Sequence, residues 1–173
     1  MCAASLRRAE LDDAALLADL GVRTFRETFE AICAPADLAA FLERTYSEAL
    51  QRKELADPLR PARILMVDGV PSGFLQLRLD HREDGVVGAR PVELQRIYVL
   101  RTCQGGGHGA ALMQAAQDLA LSWGADELWL GVWENNTKAL AFYARWGFRE
   151  VGEHIFKIGD QVDRDLILSK RLA

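Results

Sequence analysis

The feature that most constrains the fold of this chain is a glycine-rich turn between a strand and a helix. Residues 104–109 read Gln-Gly-Gly-Gly-His-Gly. The preceding segment Val92–Leu100 (VELQRIYVL) predicts the clearest strand in the chain, and Gly107–Trp123 predicts an amphipathic helix. Four glycines in six residues free the backbone to turn sharply and to approach a ligand closely. The chain is therefore expected to contain a strand–turn–helix junction whose turn is open to a ligand.

Apolar periodicity and turn residues place the other elements around this junction. The predicted strands are Ser5–Ala9, Arg63–Asp68, Gly73–Asp80, Val92–Leu100, Glu127–Val132, Glu150–Ile158 and Val162–Ser169. The predicted helices are one after Asp12 or Asp13 that includes Leu16–Phe29, one from Pro35 that includes Leu50, then Gly107–Trp123 and Asn136–Trp146. The last two strands form a hairpin around Gly159-Asp160. Without a repeat or a linker, residues 1–173 are expected to form a single domain of the α/β (α+β) class with a mixed sheet.

Composition argues against several classes of function. The formal net charge is -4, whereas nucleic-acid binding needs a basic face. The three cysteines are scattered and form no C-x-x-C pair, so neither a zinc site nor a disulfide framework is expected. The N-terminus lacks the apolar run of a signal peptide, and no segment approaches a membrane span. We expect a cytoplasmic protein that has no metal and no nucleic-acid or membrane partner.

The glycine turn predicts an anion site, because the following helix presents unpaired N–H groups and the positive end of its dipole. A phosphate group is the ligand that such a helix start binds most readily. A flexible surface loop is the alternative. A dinucleotide site is a weaker one: Gly105, Gly107 and Ala110 fit G-x-G-x-x-A, but residues 101–104 separate them from the strand. The turn alone therefore indicates a phosphate-bearing ligand of unspecified kind.

A second segment narrows the choice. Residues 136–148 read NTKALAFYARWGF. Residues 104–109 match the pattern Q/R-x-x-G-x-G/A, and residues 136–148 are similar to N-x-x-A-x-x-F-Y-x-K/R-x-G-F. Together and in this order, the two segments resemble the signatures of the GNAT family of N-acetyltransferases. The chain further resembles the subgroup that acetylates polyamines such as spermidine and spermine, in the segments ELQRIYVL, LGVWENN, FYARWGF and TFRETF.

The resemblance implies the acyl-CoA N-acyltransferase fold, with a mostly antiparallel sheet flanked by helices and two parallel strands that splay apart. Acetyl-CoA is the implied co-substrate, and its pantetheine arm enters between strands Val92–Leu100 and Glu127–Val132. The residues that it implies for cofactor binding are Ile97, Tyr98, Val99, Gln104, Gly105, Gly106, Gly107, His108, Gly109, Ala110, Asn136 and Arg145. The chain departs from the family where Leu100 and Arg101 replace a common proline and where Gly106 replaces a common basic residue, so Arg101 or Arg145 is left to supply the charge.

The reaction itself needs a base and an acid. An alkylamine with a pKa of about 10.4 is mostly protonated at neutral pH and attacks a carbonyl only after losing that proton. Glu93 opens the motif strand and is the candidate base, because family members often carry a carboxylate there. Tyr143 stands at the family's proton-donor position and is the candidate acid for the departing thiolate. The alternatives are a solvated strand-end charge for Glu93 and a packed aromatic ring for Tyr143.

The acceptor is constrained least. Acidic residues that could attract a polycation are Glu27, Glu30, Asp80, Glu83 and Asp84. An aminoglycoside, a peptide or protein N-terminus, and a non-catalytic acyl-CoA-binding module remain as alternatives. Family members are often dimers, so a homodimer is an expectation in which Val162–Ser169 pairs or packs.

Overall fold

The computed structural model describes residues 3–159 and 161–172. A seven-stranded sheet runs through the molecule in the order β1-β2-β3-β4-β5-β7-β6. The strands are β1 (Ala4–Arg8), β2 (Ala62–Val67), β3 (Val70–Arg78), β4 (Pro91–Val99), β5 (Glu127–Trp133), β6 (Arg149–Ile158) and β7 (Gln161–Arg171). All neighbouring strands are antiparallel except β4 and β5. The predicted mixed, mostly antiparallel sheet is confirmed, whereas Asp160 of the predicted hairpin turn lies outside the described residues.

Five α-helices flank the sheet: α1 (Ala14–Phe29), α2 (Pro35–Tyr46), α3 (Glu48–Ala56), α4 (His108–Ser122) and α5 (Thr137–Arg145). The single helix predicted from Pro35 through Leu50 is wrong, because α2 and α3 are separate. Ser47 interrupts them with an extended backbone (φ -64°, ψ 147°), and its side-chain oxygen accepts a hydrogen bond from the Leu50 amide at 3.4 Å. Serine is a preferred residue at a helix N-terminus for this reason.

Two hydrophobic cores lie on opposite faces of the sheet. One packs α4 and α5 against the strands and includes Leu77, Leu94, Leu112 and Leu128. The other packs α1 and α2 and includes Leu17, Phe25, Phe41 and Phe74. Since side chains alternate across a strand, each central strand contributes to both cores. We call these the α4–α5 face and the α1–α2 face.

The parallel strands β4 and β5 splay apart after three residue pairs. The pairs are Pro91 with Glu127, Val92 with Leu128, and Glu93 with Trp129. Beyond Glu93, β4 continues to Val99 paired only with β3, and β5 continues to Trp133 paired only with β7. A bulge at Gln95 in β4 shifts the register against β3. The splayed parallel strands implied by the family resemblance are thus confirmed.

Strand β7 lies inside the sheet. It pairs with β5 on one side and with β6 on the other. Its backbone therefore has no free edge with which to extend the sheet into a second copy, contrary to the pairing form of the dimer expectation. Within the described residues the sheet edges are β1 and β6.

Candidate active site

The glycine turn adopts a backbone conformation that favours glycine. Gly105 has a φ of 89° and Gly107 a φ of 80°, both in the left-handed region. Gly107 occupies the N-cap of α4, so the turn leads directly into the helix. A side chain at either position would be strained even though open space surrounds both glycines. The sequence-predicted turn between a strand and a helix start is confirmed.

The amides of this turn lack partners within the protein. Among the described residues, the backbone N–H groups of residues 105–110 donate to no protein acceptor. Such a run of free donors at a helix N-terminus is suited to the oxygens of a pyrophosphate. The family resemblance implied phosphate binding by the amides of residues 104–110. The Gln104 amide instead donates to the Arg101 carbonyl at 3.2 Å, and the other six unpartnered amides fit that group.

His108 shapes the turn through its ring. Its Nδ1 lies 2.7 Å from the carbonyl oxygen of Cys103, which fixes the ring against the turn. A Cβ at Gly106 would lie only 2.9 Å from the His108 Cε1 atom. The ring therefore explains why this chain has glycine where a basic residue is common in the family.

A lysine supplies positive charge beside the turn. The Lys138 ammonium, on α5, donates to the side-chain oxygen of Gln104, whose amide nitrogen donates to the Val99 carbonyl at 3.0 Å. Arg101, which was expected to be one source of charge, instead donates to Glu27 through both its backbone amide and its guanidinium. Arg145 is exposed on the last turn of α5. Sequence analysis gave Lys138 no role, because only the packing of α5 brings it to Gln104.

The residues expected to line the pantetheine arm lie along the splay. Ile97 and Val99 pack towards the α4–α5 face, and Tyr98 packs towards the α1–α2 face. Asn136 is the N-cap of α5, where its side-chain oxygen accepts a hydrogen bond from the Ala139 amide at 3.2 Å. Only the amide nitrogen of Asn136 is thereby left to donate to a ligand.

Tyr98 is held by a buried polar group of residues. Its hydroxyl hydrogen-bonds with that of Tyr46, and the Arg96 guanidinium lies 5.2 Å from the centre of the Tyr46 ring. Arg96 in turn donates to Glu54 and Gln76. Burial raises the pKa of Tyr98, so its hydroxyl stays protonated at neutral pH. This network fixes the side chain on the acceptor side of the splay.

Glu93 is buried at the closed end of the splay. Its carboxylate is 2.5 Å from Arg78 Nε, and the residue is 8% exposed. Burial raises the pKa of Glu93, while Arg78 and His81 act in the opposite direction. Glu93 is therefore not the solvated strand-end charge that was its alternative interpretation. A partly desolvated carboxylate of raised pKa is a suitable proton acceptor.

Tyr143 lies on α5 in the core of the α4–α5 face. Its ring meets Phe142 and Phe148 edge-on, with centroids 5.5 Å and 5.8 Å away. Burial raises its pKa strongly, and the nearby Tyr98 adds to this effect. The hydroxyl is thus protonated at neutral pH, as a proton donor must be. The structure thus shows the packed ring, and the proton-donor role stays a prediction that is compatible with this packing.

Most of the acids expected to attract a polycation have other partners. Glu27 accepts from the Arg101 amide, Glu30 pairs with Arg26 at 3.0 Å, and Glu83 lies 3.2 Å from His81. Asp80 and Asp84 are exposed in the segment between β3 and β4. Within the described residues, no group of three or more His, Cys, Asp or Glu side chains is arranged to hold a metal, and no helix has the length and apolar character to cross a bilayer.

The profile of the acetyltransferase (GNAT) family matches residues 24–148, which cover most of the chain and include both motif segments. The chain belongs to this family. An uncharacterized N-acetyltransferase of Lactobacillus delbrueckii subsp. lactis is 38% identical over 150 residues, 87% of each protein. Another of Mycobacterium tuberculosis is 34% identical over 164 residues, 94% of this chain and all of that protein.

A solved structure has the same architecture. The PaiA N-acetyltransferase of Thermoplasma acidophilum, in complex with coenzyme A, superposes with a TM-score of 0.76 at 18% identity, covering 98% of this chain and 99% of that one. At this identity the similarity shows the fold. Family membership, the splay and the free amides together make this GNAT protein an acetyl-CoA-dependent N-acetyltransferase.

Proposed function

We propose that this GNAT enzyme transfers the acetyl group of acetyl-CoA to a primary amine by direct attack within a ternary complex, with a polyamine as the leading acceptor. The observation that carries the proposal is the splay between β4 and β5, which opens next to the six unpartnered amides of residues 105–110. Acetyl-CoA supplies the activated thioester. The protein would supply the groups that bind both substrates and the base and acid for the proton transfers.

The donor is held mainly by the backbone. Amides of residues 105–110 would bind the pyrophosphate, with Lys138 and Arg145 as the adjacent cations. Backbone groups of β4 from Ile97 to Val99 on the side away from β3 would bind the amide-bearing arm as though it were a further strand, with the Val99 carbonyl released by the Gln104 side chain. Asn136 would donate from its side-chain nitrogen. These roles agree with the positions of the residues along one continuous path from the turn into the splay.

Glu93 would remove the proton that a protonated amine carries. Its position beside the last β4–β5 pair puts it at the start of the gap. Because the carboxylate must be ionised to accept a proton and burial raises its pKa, activity should fall as the pH drops through that raised pKa. Tyr143 would donate a proton to the departing thiolate from the opposite face.

The polyamine assignment rests on the resemblance of several sequence segments to the polyamine subgroup and on Asp80 and Asp84, the exposed acids between β3 and β4. An aminoglycoside or a peptide N-terminus also presents a primary amine, so the acceptor needs direct measurement. Acetyl-CoA should be incubated with the enzyme and, separately, with spermidine, 1,4-diaminobutane, an aminoglycoside and a short peptide, while thiol release is followed. The proposal predicts fastest release with a polyamine.

A non-catalytic acyl-CoA-binding module gives a different result. It binds acetyl-CoA, as measured by calorimetry, but releases no thiol with any amine and is indifferent to Glu93→Gln. Preference for the peptide or the aminoglycoside would keep the acetyltransferase reaction and overturn the polyamine assignment.

A further inference from the structure

On the α1–α2 face, the exposed Gly131 lies beside His154 and Asp165, and we call the surface that these residues form with Trp133 the groove. Gly131, on β5, is exposed although the strand around it is buried. A Cβ at this position would lie 3.6 Å from His154 Cε1 and 3.7 Å from Asp165 Oδ2. Glycine therefore leaves room between a histidine on β6 and an aspartate on β7. The groove lies two residues beyond Trp129, where β5 has already separated from β4.

Three polar atoms around this floor are buried without a partner. They are Asp165 Oδ1, His154 Nδ1 and Trp133 Nε1, for which the described residues provide no hydrogen bond. Asp165 Oδ2 is 3.9 Å from His154 Nε2, too far for a hydrogen bond. Buried polar groups are nearly always paired with protein, ligand or ordered water, so this cluster beside the splay is a candidate site for a polar ligand group.

The electrostatics favour a cation. The titratable groups that face Asp165 are His154 from β6, Asp163 from β7 and Tyr98 from β4. Burial raises the pKa of Asp165 to about 6, so the carboxylate is mainly ionised at neutral pH. Glu93 is paired with Arg78, whereas in the described part of the chain the basic group paired with Asp165 is His154, at 3.9 Å, and no arginine or lysine lies within 4 Å of its carboxylate.

The remaining wall is aromatic. Trp133 packs against Phe29 of α1 with ring centroids 5.7 Å apart. Aromatic faces attract ammonium groups, and a carboxylate beside them adds a charge-assisted hydrogen bond. The groove thus combines both devices that recognise an alkylammonium ion.

Resting on the proposed function, we propose that Asp165 anchors a second, non-reacting ammonium group of the acceptor, in a groove floored by Gly131 and walled by Trp133 and His154. Glu93 lies level with Trp129, and the Asp165 carboxylate reaches Gly131, about 7 Å further along β5. A chain of a few methylenes bridges such a separation. The enzyme therefore prefers diamines and longer polyamines to monoamines.

The test compares 1,4-diaminobutane with n-butylamine, which has the same carbon chain but a single cation. For the wild type, kcat/KM should favour the diamine. In Asp165→Asn, kcat/KM for the diamine should fall at least roughly tenfold, mostly through KM, while n-butylamine turnover changes little. The matched control is Asp118→Asn, which removes the same charge from exposed α4 and should leave both substrates unchanged. An unaltered diamine preference in Asp165→Asn overturns the proposal.

A binding measurement separates this inference from the acetyl-transfer reaction. Calorimetry of the CoA-saturated protein with 1,4-diaminobutane should show binding that Asp165→Asn weakens at least roughly tenfold and that 1,4-butanediol does not reproduce. Such binding without acetyl transfer would sustain the groove and overturn the proposed function. Acetyl transfer without any diamine binding that depends on Asp165 would support the proposed function and overturn the groove.

Gly131→Val provides a second variant that fills the floor without changing charge. It should raise KM for the diamine while CoA affinity, measured in the same preparation, stays at the wild-type value. Retained CoA affinity shows that the variant is folded, so an unchanged KM would count against the groove.

Discussion

Different parts of the chain form the proposed donor and acceptor sides of the splay: main chain on the donor side and side chains on the acceptor side. The donor side consists mainly of backbone: six free amides and the unpaired edge of β4, assisted by Lys138. The acceptor side consists of side chains, with Glu93, Asp165 and Trp133 drawn from three strands. Backbone donors recognise a ligand common to the family, whereas side chains can change without altering the fold. Local sequence therefore determines which groups would bind the donor, whereas tertiary packing determines which side chains would bind the acceptor.

The charges of the two sides are also opposite. The turn and the start of α4 present positive ends of dipoles, and the groove presents an unpaired carboxylate. Under the proposed function, an anionic donor and a cationic acceptor would approach one gap from opposite faces of the sheet. Substitutions on one side should therefore affect the binding of one substrate and leave the other unchanged.

Glu93→Gln should have the largest effect, because it removes the proposed base and leaves the proposed donor side intact. We expect kcat to fall by roughly 100-fold or more at neutral pH, with CoA affinity unchanged. Steady-state kinetics and CoA calorimetry on the same preparation measure the two quantities. A mutant with near-normal kcat and the same pH profile would show that the proton leaves by another route.

Tyr143→Phe should lower kcat by roughly 10- to 100-fold, because phenylalanine packs against Phe142 and Phe148 but has no proton to donate. CoA affinity and thermal stability should change little, since the ring is retained. Equal kcat values for Tyr143→Phe and the wild type would leave the residue a purely structural role.

Gly107→Ala tests the donor side alone. The residue would have to adopt a left-handed conformation that costs about 1–2 kcal/mol, so CoA affinity should fall by roughly 5- to 30-fold. The matched control is Ala111→Gly in the first turn of α4, which introduces no such strain at the turn. If calorimetry finds the same CoA affinity in Gly107→Ala and the wild type, the turn does not bind the pyrophosphate.

Asp165→Asn should have the smallest of these effects. It should increase the free energy of unfolding at alkaline pH. The folded-state pKa of about 6 exceeds the usual aspartate value of 3.8, so ionised Asp165 opposes folding. The penalty is absent below about pH 4, grows as the pH rises to about 6 and is then constant. Each kcal/mol recovered raises Tm by about 2–4 °C.

Thermal melts at pH 8 and pH 4 check this expectation. The difference in Tm between Asp165→Asn and the wild type should be positive at pH 8 and vanish at pH 4. A lower Tm for the variant at pH 8 would mean that His154 stabilises the ionised carboxylate more than burial destabilises it.

The sequence was enough for the donor side because its determinants are local. A glycine turn, a helix start and the Asn136–Phe148 segment each keep their meaning in any packing, and both the strand–turn–helix junction and the splay are confirmed. The break between α2 and α3 was missed because a serine N-cap interrupts an apolar pattern that continues through it. Lys138 was missed because its contact with Gln104 joins residues 34 positions apart.

The acceptor side could not be obtained in the same way. The acids chosen from the sequence are paired or exposed, whereas Asp165 has a buried carboxylate oxygen, Oδ1, without a hydrogen-bond partner in the described part of the chain. Asp165 pairs with Trp133 on β5 and with His154 on β6, and its carboxylate lies beside Gly131, so no local pattern around residue 165 marks it. Burial without a partner is a property of the assembled sheet.

Acetyl transfer to a diamine tests the central claim most directly. The purified protein should be mixed with acetyl-CoA and 1,4-diaminobutane, and thiol release and acetylated product should be quantified together. The account predicts one thiol released for each acetylated amine, at a rate that depends on Glu93. Binding of acetyl-CoA with no acetylated product from the diamine, or from any other amine in the panel, would contradict it.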